Sequence, residues 1–184
     1  GRRRKTDGAD GDAEAAEAGG ATTPSVFFSH VQAPSGDLVH ALDAELALRG
    51  LRGWRDNSFQ GELNLDAMRQ GVLHADVFVH VLTDDVPASW ATCWEIASAV
   101  SPLNLAKPGK RLVVVRETDP NRGGGGGVAS IDELLVKIHD RITKDDTLSA
   151  LASLASVEDL RSKLCRHVVM LDRSVPTEVT MQRV

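Results

Sequence analysis

The chain is poor in cysteine, with two among 184 residues, Cys93 and Cys165, neither in a CxxC pair or a His-bearing cluster. That speaks against a disulfide framework and against a structural zinc site, and no metal is expected. Cys93 falls within a predicted helix and reads as a buried free thiol. The chain also lacks any apolar stretch near the ~20 residues that span a bilayer, and its N-terminus lacks the apolar core of a signal peptide. A cytoplasmic domain without a membrane span is expected. Nor is there an excess of positive charge: 21 Lys and Arg stand against 26 Asp and Glu, a net of −5. A nucleic-acid footprint needs a basic face, so no nucleic-acid partner is expected. The one basic cluster, Arg2-Arg3-Arg4-Lys5, reads as a solvated tail or the remnant of a longer chain, the more so as position 1 is not Met. Five consecutive glycines at 123–127 lack the GxxxxGK[ST] or strand-GxGxxG-helix context of a phosphate cradle and read as a surface loop.

What is present is a core's worth of apolar residues, 42% of the chain, and a threefold repetition in which an apolar run breaks into a polar cluster. Val26-Phe27-Phe28 runs into Ser29-His30, Leu51-Arg52-Gly53-Trp54 into Asp56-Asn57, and Val77-Phe78-Val79-His80-Val81-Leu82 into Thr83-Asp84-Asp85. Helical patterns separate them. Such alternation predicts βαβαβ, a parallel α/β sheet with helices on both faces whose strands all end on one edge. Ligands of open α/β sheets bind at that edge. Residues scattered along the sequence are therefore expected to converge there.

Residues 1–24 hold too little apolar bulk to offset the entropy of ordering and read as a linker. Ser35 and Asp37 open a helix on which Leu38, Leu42 and Leu46 recur, and Gly50 closes it. Leu65, Met68 and Val72 share one face of a shorter helix ending near Gly71. The run at 76–82 is the most hydrophobic in the chain, as befits the middle of a parallel sheet. A third helix spans 89–100, stopped by Ser101-Pro102. A fourth strand at 111–115 exits through Arg116-Glu117-Thr118-Asp119. Helices are predicted at 131–142 and 157–170, the latter with Ser156 and Asp159 as a capping box. The best window for a fifth strand is 147–154, and 172–184 read as a tail.

Four segments in order resemble the Toll/interleukin-1 receptor (TIR) domain, and protist and algal TIR-like domains in particular. They are Val26-Phe27-Phe28-Ser29-His30, the L-x-x-x-L-x-x-x-G-L-x-x-W-x-D pattern from Leu42 to Asp56, Gly61-Glu62-Leu63 before a helix, and Ser89-Trp90-Ala91-Thr92-Cys93-Trp94-Glu95-Ile96. The resemblance is good over residues 25–118 and implies a flavodoxin-like sheet of about five parallel strands within a domain at 25–171. It also implies one of two activities. Some members cleave NAD+ at the nicotinamide glycosidic bond, and others scaffold through TIR-TIR contacts in signal transduction and innate immunity.

The resemblance places the catalytic carboxylate of the enzymatic members at Glu95. It places nucleotide contacts at Ser29, His30, Gln32, Asp56, Asn57 and Trp90, with NAD+ as substrate and no cofactor. It assigns a self-association loop containing Phe59, Gln60, Glu62 and Leu63, and hence a homo-oligomer on activation. One departure stands out: Trp90 precedes Glu95 by five residues rather than four, with Ala91 in the usual aromatic slot. Trp94 is expected in the core, and the alternative for Glu95 is a solvated helix carboxylate. Arg116 stands where a phosphoryl-transfer receiver of this general architecture would need lysine. The enzyme and the interaction module both remain open at this point.

Overall fold

Parallel pairing of the apolar runs organises the computed structural model, which describes residues 25–54, 65–117 and 129–171. The strands are β1 (Ser25–Ser29), β2 (Arg52–Trp54), β3 (Val77–Leu82), β4 (Arg111–Glu117) and β5 (His167–Leu171). They form one all-parallel sheet in the order β2-β1-β3-β4-β5. The expected central position of residues 77–82 holds, since β3 is flanked by β1 and β4.

The helices are α1 (Gln32–Leu48), α2 (Leu65–His74), α3 (Trp90–Ala99), α4 (Pro102–Leu105), α5 (Ile131–Lys144), α6 (Asp146–Ala152) and α7 (Val157–Leu164). Successive side chains of a strand point to opposite faces, and the two cores follow that alternation. Val26, Phe28, Val79, Val81 and Val115 pack with Leu38, Val39 and Leu42 of α1. Phe27, Phe78, Leu82, Leu112 and Val114 face the other way, into a larger core with Met68 and Val72 of α2, Trp94 and Ile96 of α3, Leu134 and Ile138 of α5, Leu148 of α6 and Leu160 of α7. Helices therefore cover both faces, and Trp94 takes its expected core position.

Two expectations are corrected. Residues 147–154 are not a strand, because 146–152 are the helix α6, capped by the Asp145 side chain. The fifth strand is instead β5, whose residues 167–170 belong to the stretch predicted as helix, and α7 stops at Leu164. The run Val168-Val169-Met170-Leu171 is too short for periodicity to separate a strand from a buried helix, and its β-branched pair suits pleated backbone. Smaller shifts concern helix ends. α1 begins at Gln32, with Pro34 in the first turn, where a missing N–H costs nothing, and Ser35 buried and donating its hydroxyl to the Val31 carbonyl at 2.8 Å. α2 runs through Gly71 to His74.

Gly50 does close α1, with φ of 77°. The Gly50 N–H donates to the Ala47 carbonyl and that of Leu51 to the Leu46 carbonyl, a Schellman ending that only a left-handed residue permits cheaply. Ser156 caps α7 by accepting from the Asp159 N–H, but the Asp159 carboxylate accepts from Ala155 rather than closing the predicted box on Ser156. Among the described residues no helix is long and apolar enough to cross a membrane. The predicted linker, the tail and the loop carrying Phe59, Gln60, Glu62 and Leu63 lie outside the described residues.

Candidate active site

Ser29 is the last residue of β1 and pairs in register with His80 of β3. Registered neighbours in a parallel pair present their side chains on the same face, here the face of the larger core. The Ser29 hydroxyl lies 3.0 Å from His80 Nδ1. α3 crosses above them, and its N-terminus is fixed by Ser89, whose hydroxyl accepts from the Thr92 N–H. Glu95 then falls on the side of α3 that faces the sheet. The Ser29 hydroxyl donates to Glu95 Oε2 at 2.7 Å, within the ordinary range for a hydroxyl hydrogen bond.

All three side chains are buried: Ser29 and His80 are 0% exposed and Glu95 5%. The solvated-carboxylate alternative for Glu95 is therefore excluded. A carboxylate withdrawn from water needs hydrogen-bond donors, and Ser29 supplies one. The His80 ring stacks beside Phe78, which stacks on Phe27. Burial pushes the imidazole pKa down to about 3, neighbouring His30 pushes the same way, and hydrogen bonding at Ser29 opposes them. The ring is uncharged at neutral pH.

The other expected site residues are distributed as follows. His30 is half-buried at the end of β1, and Gln32 is exposed at the start of α1. Trp90 opens α3, but its indole N–H donates to Asp145 Oδ2 at 3.0 Å. Asp56 and Asn57 lie outside the described residues. Ser29 and Glu95, each expected at the site, are in contact across 66 positions. Sequence reasoning gave His80 no role, although a histidine inside a strand otherwise built of Val, Phe and Leu is itself the signal.

Arg116 sits at the same edge and is committed to the scaffold. It is 4% exposed, and it donates to the Leu82 carbonyl, to Asp84 Oδ1 at 2.9 Å and to the Ala129 carbonyl. The arginine thus ties the exits of β3 and β4 to the residue preceding the cap of α5. A cleft of about 330 Å³ is lined by Pro87, Lys137, Asp140, Arg141, Lys144 and Asp145, and none of Ser29, His80 and Glu95 lines it. Among the described residues no group of three His, Cys, Asp or Glu could hold a metal ion.

No protein-family model matches the chain, and no curated protein matches it. Among solved structures it is similar to the TIR domains of the activated Roq1 resistosome, a complex that directly recognizes the pathogen effector XopQ. The superposition has a TM-score of 0.59 at 15% identity and covers 88% of this chain and 96% of that one. At that identity the likeness is one of fold. The strand order, the parallel register and this likeness agree that the chain has the fold of TIR domains.

Proposed function

We propose that the chain is a TIR-domain signalling protein that cleaves the nicotinamide–ribose bond of NAD+ when copies of it self-associate. The observation that carries this reading is the buried Glu95 carboxylate, held by Ser29 at the carboxyl edge of a parallel sheet, where ligands of such sheets bind. The C1′–N bond breaks with its electron pair passing to nicotinamide, which leaves neutral and needs no acid. The positive charge moves from the pyridinium to the ribosyl carbon and ring oxygen, where Glu95 stabilises it. Water then adds to C1′ and releases a proton, giving ADP-ribose, or an adenine nitrogen adds instead and gives a cyclised product. Ser29, His30, Gln32, Asp56 and Asn57 are the proposed nucleotide contacts. Trp90, with its N–H taken by Asp145, offers only its ring. The likeness to TIR domains within a resistosome supports a working state that is an assembly of copies, and Phe59, Gln60, Glu62 and Leu63 are the proposed contact loop.

A second reading, an interaction module without turnover, is favoured by one observation: Glu95 is 5% exposed and already engaged. An NAD+ turnover assay on concentrated or crowded protein decides between them. Release of nicotinamide that rises with assembly supports the enzyme, and its absence in an assembled sample supports the module.

A further inference from the structure

Ser29, His80 and Glu95 form a chain of hydrogen bonds whose direction is fixed by counting protons. The Ser29 hydroxyl has one proton, and it is donated to Glu95 Oε2 at 2.7 Å. The hydroxyl oxygen must then accept from His80, which requires the ring proton to sit on Nδ1. His80 Nε2 is left as a bare lone pair, and it has no hydrogen-bond partner among the described residues despite complete burial.

We propose that His80 is a positioning residue: its neutral Nδ1–H tautomer locks the Ser29 hydroxyl into donating to Glu95. An imidazole in a strand of Val, Phe and Leu loses its hydration and leaves Nε2 without a partner among the described residues, a poor exchange for the fold alone. An apolar residue at position 80 would pack the strand and leave Ser29 free to rotate toward other acceptors. With His80 in place the hydroxyl has one orientation, and Glu95 keeps one oxygen occupied and its rotamer set. The catalytic consequence rests on the reading of Glu95 as the group beneath the ribosyl cation. The tautomer assignment stands apart from that reading.

The experiment has two arms on the full 184-residue chain. In the first, side-chain ¹⁵N NMR of the histidines, with the His80 signals assigned by their loss in His80→Asn, reads the tautomer directly. The expected result is a proton on Nδ1 and an unprotonated Nε2 between pH 6 and 8, and a proton on Nε2 overturns the proposal. In the second, NAD+ turnover is compared in His80→Asn, His80→Gln and His80→Val. The asparagine amide nitrogen occupies the place of Nδ1 and can donate to Ser29, whereas that of glutamine occupies the place of Nε2. His80→Asn is expected to keep most of kcat, and the other two to lose roughly 10- to 100-fold in kcat with little change in KM. Equal losses in all three overturn the positioning role. If the assembled wild-type protein releases no nicotinamide, the enzymatic reading fails by itself, and the NMR arm still decides the tautomer.

Discussion

Trp90 Nε1 donates to Asp145 Oδ2 at 3.0 Å, joining the first turn of α3 to the residue that caps α6. The same carboxylate accepts from the Thr147 and Leu148 N–H groups through its other oxygen. These donors hold the Asp145 pKa below the ordinary carboxylate range, the Leu148 N–H contributing most. The indole therefore has a structural task that its place in the sequence did not reveal. A double-mutant cycle of Trp90→Phe and Asp145→Ala, read by chemical denaturation, is expected to give a favourable coupling. A coupling near zero would leave the contact without energetic weight.

Glu95→Gln keeps shape and an oxygen for Ser29 but removes the charge. Nicotinamide release by the assembled protein is expected to fall by at least ~10²-fold, the scale of losing one electrostatic stabiliser, with binding of NAD+ little altered. Undiminished turnover would remove Glu95 from the mechanism.

His80 also makes stability depend on pH with a definite sign. Its folded pKa of about 3 lies below the ordinary 6.5, so the unfolded chain binds the proton more readily. The neutral ring's advantage is complete above about pH 6.5 and is lost as pH falls toward 3, on the order of 5 kcal/mol if the fold survives that far. Carboxylates titrate in the same interval, so the readout is a difference. Wild type minus His80→Asn should show stability falling more steeply in wild type between pH 6.5 and 4.

Two lysines close the end of α2 from outside it. Lys110 Nζ donates to the Val72 and Ala75 carbonyls at 2.6 Å each, and Lys107 Nζ donates to the Leu73 carbonyl. Burial, then the neighbouring Lys107 charge, lowers the Lys110 pKa to about 8. Its folded value lies below the unfolded one, so its contribution grows as pH rises from about 8 to 10.5. Lys110→Met should remove that slope and cost about 1–2 kcal/mol at pH 8 by leaving terminal carbonyls unpaired, with faster amide exchange in α2.

Arg116→Lys tests the arginine at the sheet edge. A lysine cannot reproduce a planar fork that reaches the Leu82 carbonyl, Asp84 and the Ala129 carbonyl together. A loss of about 2–4 kcal/mol is expected, with intrinsic turnover per folded molecule preserved. A loss below about 1 kcal/mol would show that the lysine keeps the ties.

Most of this fold was legible because its central strands are largely apolar, and β3 in particular is written as a run broken only by His80. The carboxyl edge was legible for the same reason, since each run breaks into polar residues where a parallel strand must end, which puts Ser29 there, whereas Glu95 was legible only through the resemblance of residues 89–96 to TIR domains. β5 was not, because a short apolar segment beside a helix carries no period long enough to choose. Trp90 was legible only in part: its ring suits a pocket wall, but the partner of its N–H lies 55 positions away at the cap of α6. His80 was visible as an oddity, but only the register that sets it beside Ser29 gives it a task.

The strand order also bears on how the chain is made. β1 emerges early in synthesis yet lies inside the sheet, so one flank waits for β2 and the other for β3. Ser29, His80 and Glu95 are all present once residue 95 is translated, whereas β5, at 167–171, comes some seventy residues later, a pause of several seconds at ~5–20 residues per second. Once β4 has been made and until β5 arrives, β4 is an open edge, and its Val113-Val114-Val115 run has no neighbour on that side. The nascent chain is thus most exposed to wrong pairing after Ser29, His80 and Glu95 have been written and before its last strand arrives.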